Sequence, residues 1–363
     1  MTTHNTRLLD LYTDYLLASF GAATATGLAA LLPGQFSHDQ VTRFLGQAQL
    51  TDKDLWQIVK PHLRRIQSQD ALLIFDDSVE EKAYTDESEL VCWHFDHTKN
   101  RTVKGINLLS ALYVSQDTSL PVAFELINKT ELVTDKKTGK ERWQSKKTKN
   151  ELAREMIERT VHKQIPFRYV LNDVWFSSSE NMLFIKQKMK KDFIMPLKSN
   201  RKVALSQEHK QRGQWVPLSS LSFDSDTPLT IHLESVPFAL LLSRPLFINA
   251  DGSEGVLYLV SSDLALSGAS MLAIYQKRWK VEEYHKSLKQ NAAFAKSPTK
   301  RPHTQSNHFF ASLVAFVKLE VYRRTTCLNH FALKGKLYHA ALARAFEQLQ
   351  TFKAACPAAT ITA

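Results

Sequence analysis

Cysteine is scarce in this chain of 363 residues: Cys92, Cys327 and Cys356 stand far apart, with no CxxC pair and no Cys/His cluster. That spacing argues against a zinc site, and an odd count in a chain of this length argues against a disulfide framework. A reducing cytoplasm is expected. Long apolar runs are also missing. Met1 to Asp10 is polar and lacks the apolar core of a secretory signal. Leu16 to Leu32 is broken by Thr and Gly and ends at Pro33, so it reads as a buried helix, not a membrane span. No internal repeat is visible. Acidic residues are outnumbered, 36 Asp and Glu against 47 Lys and Arg, for a formal charge of +11. That surplus suits a polyanion, nucleic acid first and an acidic membrane surface second. The lack of a basic amphipathic or apolar anchor turns the reading away from the membrane.

What is present is ordinary globular material, 44% hydrophobic and 23% charged, enough for one large core or two to three domains. Residues 1 to about 70 read as helical, with Leu8, Leu9, Tyr12, Tyr15 and Leu16 at helical spacing. Ser37-x-x-Gln40 is a capping-box pattern opening a helix over Val41 to Leu45. Thr51 opens a second, which Pro61 is expected to kink or end. The pair reads equally as a helix-turn-helix or as part of a helical bundle.

From Ala71 the texture changes. Ala71 to Phe75 is a short apolar run that suits a buried strand ending in Asp76-Asp77-Ser78. Ile106 to Val114 and Pro121 to Ile127 are further strands, and Lys129 to Lys149 reads as a basic loop entering a helix over Thr148 to Lys163. Phe167 to Leu171 is a strand ending in Asn172-Asp173. Ser177 to Lys190 reads as a helix capped by Ser177-x-x-Glu180, and Phe193 to Leu197 as a strand. This order predicts a mixed α/β sheet. Residues 199 to 262 carry turn signals and short strands, a β-rich insertion. Helices follow over Ser270 to Gln290 and Asn307 to Arg323, and the tail beyond Gln350 is expected to fray.

Two strand-end carboxylates, Asp76 and Asp173, could share divalent cations at one edge of a sheet. Either alone is unremarkable, because Asp favours turns. The third observation is the segment Tyr275 to Lys289, in which Tyr275, Arg278, Glu282 and Lys289 have the spacing Y-x2-R-x3-E-x6-K. Steps of three, four and seven put all four on one helical face. An acid between Arg and Lys suits a metal ligand among phosphate-binding cations, and equally a solvated helix with internal ion pairs. Trp279, Val281, Tyr284 and Leu288 leave little purely polar circumference for the second reading.

This pattern resembles the Tyr-Arg-Glu-Lys signature of DDE transposases from bacterial insertion sequences, and the order of parts along most of the chain is similar too. The resemblance implies an α/β, ribonuclease H-like mixed sheet flanked by helices, with a β-rich insertion and an N-terminal helical domain. It divides the chain into an N-terminal helical domain over 1–70 that is a candidate for DNA binding, catalytic parts over 71–198 and 263–330 around the insertion at 199–262, and a helical tail over 331–363. It implies Asp76, Asp173 and Glu282 as catalytic metal ligands. The ions would be two Mg2+, with Mn2+ able to substitute. Tyr275, Arg278 and Lys289 would contact DNA phosphates. Partners would be double-stranded transposon ends and target DNA, held by a homodimer, on the nucleoid of a bacterial cytoplasm. Asp76 is preferred to Asp77 because Asp76-Asp77-Ser78 fits an Asp-x-Ser/Thr form, and neighbours on a strand face opposite sides. Trp175 could line the site or pack in the core. Trp215 is expected to be buried, with stacking on an unpaired base as the alternative.

Overall fold

Ser37 and Gln40 close a complete capping box in the computed structural model: Gln40 N donates to Ser37 Oγ at 3.2 Å and Ser37 N to Gln40 Oε1 at 2.8 Å. Thr148 and Glu151 close another, at 3.2 and 2.7 Å. Each box satisfies donors that the first turn of a helix leaves without partners. The structure describes residues 3–47, 49–96, 99–134, 139, 141–223, 227–248 and 251–356. They form two compact units, Met1–Thr51 with His285–Ala363, and Asp52–Tyr284.

The first unit begins with α1 (Thr3–Ala18), α2 (Ala25–Leu31) and α3 (His38–Gly46). The second begins with α4 (Asp52–Leu63), so the two helices considered for a helix-turn-helix belong to different units. Pro61 falls in the last turn of α4, as expected of a residue that cannot continue the ladder.

The second unit continues with β1 (Leu72–Glu81), β2 (Cys92–Asp96), β3 (Arg101–Ser115), β4 (Thr118–Leu126), and the hairpin β5 (Glu131–Thr134) and β6 (Glu141–Gln144). The basic stretch read as a loop is therefore partly a hairpin; residues 135–138 and 140 lie outside the described residues. Next come α5 (Lys149–His162), β7 (Tyr169–Leu171), α6 (Ser179–Leu183) and β8 (Asp192–Leu197). The expected helix over 177–190 is a short α6 followed by a π turn, Phe184–Lys188, and its cap is Ser178, whose Oγ accepts from Asn181 N at 3.2 Å. Ser177 does not cap it because its Oγ donates instead to Asp173 O at 3.0 Å.

Among the described residues the main sheet has nine strands. β1 pairs antiparallel with β3 and parallel with β7, which pairs parallel with β8. β2 and β4 both pair antiparallel with β3, along Arg101–Gly105 and Leu108–Ser115 respectively. The order β4-β3-β1-β7-β8 makes a mixed sheet, as expected from the sequence, and is consistent with the ribonuclease H-like fold that the resemblance implies. Helix α5 packs on β3 and β4.

Within 199–262 lie β9 (Lys202–Val203), α7 (Gln207–Gln211), β10 (Val216–Pro217), β11 (Leu229–Ile231), β12 (Leu240–Ser243), β13 (Leu246–Ile248), β14 (Glu254–Val256) and β15 (Tyr258–Ser261). The segment is β-rich, but part of it belongs to the main sheet. β15 pairs with β8, β12 with β15 and β11 with β12, carrying the sheet three strands further. Helices α8 (Gly268–Gln276) and α9 (Lys280–Asn291) follow, joined by a 3-10 turn at Lys277–Trp279.

The first unit resumes in α9 and ends with α10 (Pro302–Thr326) and α11 (His330–Ala355). α10 buries Phe309, Phe310, Leu313, Phe316 and Val317. It also buries polar side chains, and these have partners. Asn307 accepts from Leu50 N at 2.8 Å and donates to Leu45 O at 3.0 Å. His308 meets Tyr12 Oη at 2.9 Å and Ala293 O at 2.9 Å. Among the described residues no helix is long and apolar enough to cross a membrane.

Candidate active site

The apolar run at 71–75 is buried, as a strand covered on both faces must be. The strand does not end at Asp76, however. β1 runs on to Glu81 because β3 is long enough to pair all of it, Asp76 lying opposite Ser110 and Asp77 opposite Leu109. On the other side β7 is short. Its parallel pairing with β1 stops at Ile74↔Leu171, and Asp76 and Asp173 each lie two residues beyond that last pair. The common offset brings the two acids to the same edge of the ladder.

Asp76 and Asp77 have different surroundings. Asp77 Oδ2 accepts from Asn107 Nδ2 at 2.7 Å and from Lys149 Nζ at 2.7 Å. Asp76 Oδ2 lies 3.8 Å from Arg278 Nη1, and its Oδ1 accepts the Asp77 backbone N–H at 2.9 Å. Burial pushes the Asp76 carboxyl up to about 7, helped by the charges of Asp173, Glu282 and Asp77 and opposed by Arg278. Asp173 is also raised, by burial first, while the N–H groups of Phe176 and Trp175 pull it back down. Those N–H groups donate to Asp173 Oδ1 at 3.4 and 3.0 Å, so the acid caps the 3-10 turn Val174–Phe176.

The signature residues reach this edge from the α8–α9 stretch. Tyr275 Oη donates to Asn172 O at 3.2 Å, gripping the backbone next to Asp173. Burial pushes the Tyr275 phenol up to about 12. The Arg278 guanidinium lies 3.4 Å from Glu282 Oε1 and 3.8 Å from Asp76 Oδ2, both an intrahelical pair and a bridge to the sheet. Burial alone would lower the pKa of Arg278, but Tyr275, Asp76, Glu282 and Asp173 more than reverse it. Val281 and Tyr284 are buried, and Tyr284 Oη meets Ser110 Oγ at 3.1 Å, fixing α9 against β3 at Asp76's own pairing partner. Lys289 is half-buried in the last turn of α9, in the stretch that belongs to the first unit.

Asp76, Glu282 and Arg278 thus meet directly, and Asp173 adds its charge to the field at Asp76. Among the described residues the acids are not drawn together as a formed three-ligand metal cage; the guanidinium holds two of them instead. Sequence reasoning missed Asn107 and Lys149, which both donate to Asp77 Oδ2, while the Asp77 charge still acts on Asp76 and Asp173. Lys149 was hidden in a run of lysines that offered no reason to single it out. Trp175 and Trp279 are 55% and 64% exposed, and Trp215 is half-buried.

The acids lie at one edge of a large mixed α/β sheet, and the matches to family models define the class of protein. Residues 1–219 match the family described as DDE superfamily endonuclease, and residues 127–317 match the transposase DDE domain. The chain belongs to the DDE transposase family. Comparison with curated proteins finds no match. Among solved structures it is similar to the Drosophila P element transposase strand transfer complex, at 10% identity and a TM-score of 0.25, covering 51% of this chain and 36% of that one. It is also similar to Kluyveromyces polysporus Argonaute with a guide RNA, at 10% identity and a TM-score of 0.20, covering 66% of this chain and 27% of that one. The chain therefore spans about a third of the length of the first and about a quarter of the second.

Proposed function

We propose that the protein is the transposase of a bacterial insertion sequence. It binds terminal inverted repeats as a homodimer on DNA, cuts strands at their ends and joins the freed 3′-hydroxyls to target DNA. Asp76, Asp173 and Glu282 are its catalytic carboxylates. The observation that carries this reading is the single Arg278 guanidinium reaching both Asp76 and Glu282, at the edge where Asp173 leaves the same parallel ladder.

Three carboxylates are hard oxygen donors, and that donor set fits Mg2+ or Mn2+. Such ions, when bound, supply an activated water or 3′-hydroxyl and stabilise the departing oxygen. The chain's own part is positioning. Trp175 and Phe176 N–H groups orient Asp173, and Tyr275 fixes the backbone before it. Lys149 and Asn107 bind Asp77 through its Oδ2. Arg278 balances the acids, and its fork would turn to the phosphate of a bound phosphodiester, where bidentate donation is strongest. Tyr275 and Lys289 complete the phosphate contacts.

The test is a strand-transfer assay with DNA ends carrying a free 3′-hydroxyl and Mg2+. Joined products are expected from the wild-type chain. Cleavage without joining would replace this reading with a ribonuclease H-like nuclease. Cleavage unaffected by Asp173→Asn would remove the acids from the chemistry.

A further inference from the structure

Trp175 stands two residues beyond Asp173, and more than half of it is exposed. The backbone imposes that exposure. Asp173 caps the 3-10 turn Val174–Phe176, its Oδ1 accepting the Trp175 N–H at 3.0 Å, and Phe176 is fully buried. With Phe176 turned in, Trp175 is turned out. One exposed aromatic is ordinary by itself. What shares its cleft is not.

The indole lines a cleft of about 270 Å³, and much of the rest of the lining comes from the end of β8 and the turn after it, with Pro196, Lys198, Asn200 and Arg201. Leu171↔Ile194 is the last pair between β7 and β8, and Asp173 and Pro196 each lie two residues beyond it. The cleft therefore begins next to the acid. The turn is well held. Arg201 N donates to Lys198 O at 2.9 Å, Leu218 N to Arg201 O at 2.9 Å and Ser219 N to Ser199 O at 3.0 Å. Arg201 Nη2 donates to Ser179 Oγ at 2.9 Å, which aims the guanidinium across the cleft's side of α6. Lys198, Asn200 and Arg201 are exposed, and no acidic side chain is among the residues that line the cleft.

An aromatic plane, two cations and a side-chain amide without a carboxylate suit a ligand that is planar at one end and anionic at the other. A nucleotide has that chemistry. Inside a duplex both faces of a base are covered by its neighbours, so only an unpaired nucleotide can offer a face to an indole. We infer that this cleft takes one unpaired nucleotide of the DNA strand being cut, its base stacked on Trp175 and its phosphate on Lys198 and Arg201. The inference rests on the proposed reading of Asp173 as an acid of the cutting site. It gives Trp175 a positioning role there.

The test follows the tryptophan indole N–H resonances of the full chain, with isotopically labelled tryptophan and with EDTA present so that nothing is cut. The chain has six tryptophans, and Trp175→Phe identifies the signal of interest. An oligothymidylate of about five nucleotides should shift that signal in a saturable titration. The same strand with abasic sites should bind at least about tenfold more weakly when read there. Lys198→Gln should lower the salt dependence of the titration by about one in the log-log slope. A Trp175 signal that stays still while other indoles move would overturn the inference. So would an equal response to the abasic strand, which would mean phosphate binding alone. A response to thymidine monophosphate with none to the strand would mean a free-nucleotide site and would overturn it too. Neither cleavage nor joining is read, so a silent Trp175 beside intact strand-transfer products removes this cleft and leaves the proposed function standing.

Discussion

The α8–α9 stretch and α11 depart from ordinary amphipathic design in opposite ways. In the first, charged groups turn inward: Arg278 is largely buried between Asp76 and Glu282, while Trp279 is turned out. In the second, apolar groups turn outward along nearly the whole helix. A buried charge and an exposed apolar stripe are both costly to a lone chain, and each therefore points to a role beyond holding the fold. The difference lies in what is missing. Around Arg278 the acids are balanced through a guanidinium. Along α11 the apolar side chains beyond its first turns stay exposed among the described residues.

The largest expected effect breaks the first half of this comparison. Asp76→Ala, Asp173→Ala and Glu282→Ala should each lower metal-dependent strand cleavage about a thousandfold or more, with DNA binding retained in a gel-shift assay. Asp77→Asn, next door but tied to Lys149 and Asn107, should cost no more than about tenfold. Equal losses at 76 and 77 would erase the distinction between them.

The anchor of α11 comes next. Glu320 of α10 lies 3.0 Å from both His330 Nε2 and Arg323 Nη2, and Glu320 and His330 are both buried. Burial works to raise the Glu320 carboxyl, and the bonds from His330 and Arg323 outweigh it, holding it below its ordinary 4.5. A depressed acid contributes stability that is present above the unfolded value and lost as pH falls through the folded one. Glu320→Ala should therefore destabilise the chain by about 3 kcal/mol in neutral denaturant melts. The gap to wild type should narrow below about pH 4. A gap that stayed constant with pH would remove the ion pair from the account.

Core packing separates the two helices further. Val281 of α9 is fully buried, so Val281→Ala should cost about 2 kcal/mol, whereas Leu342→Ala should shift monomer stability by no more than about 0.5 kcal/mol. The smallest effect concerns the contact between α9 and β3. Tyr284→Phe removes only the hydroxyl that meets Ser110 Oγ and should cost about 1 kcal/mol by thermal melting.

Much of the site was legible in the sequence because its parts have local signals. Apolar runs marked β1, β7 and β8, and the steps between Tyr275, Arg278 and Glu282 marked a shared helical face before any fold was known. The distinction between Asp76 and Asp77 followed from the alternation of strand side chains. What was not legible depended on distant partners. Asp76 looked like a strand end, yet β3 continues the pairing to Glu81. Residues 199–262 looked like a β-rich insertion, yet three of their strands extend the main sheet, because an open edge at β8 offers pairing that no local pattern reveals. Cys92–Asp96 gave no strand signal and is held in place by β3. The π turn after α6 has no sequence signature at all.

The central claim is that Asp76, Asp173 and Glu282 together hold divalent ions. Mn2+ binding measured by electron paramagnetic resonance on the full chain tests it most directly. The wild type should bind Mn2+ competitively with Mg2+, and Asp76→Asn, Asp173→Asn and Glu282→Gln should each weaken that binding at least about tenfold, while Asp77→Asn leaves it close to wild type. Mn2+ binding that is the same in all three variants as in the wild type would contradict it.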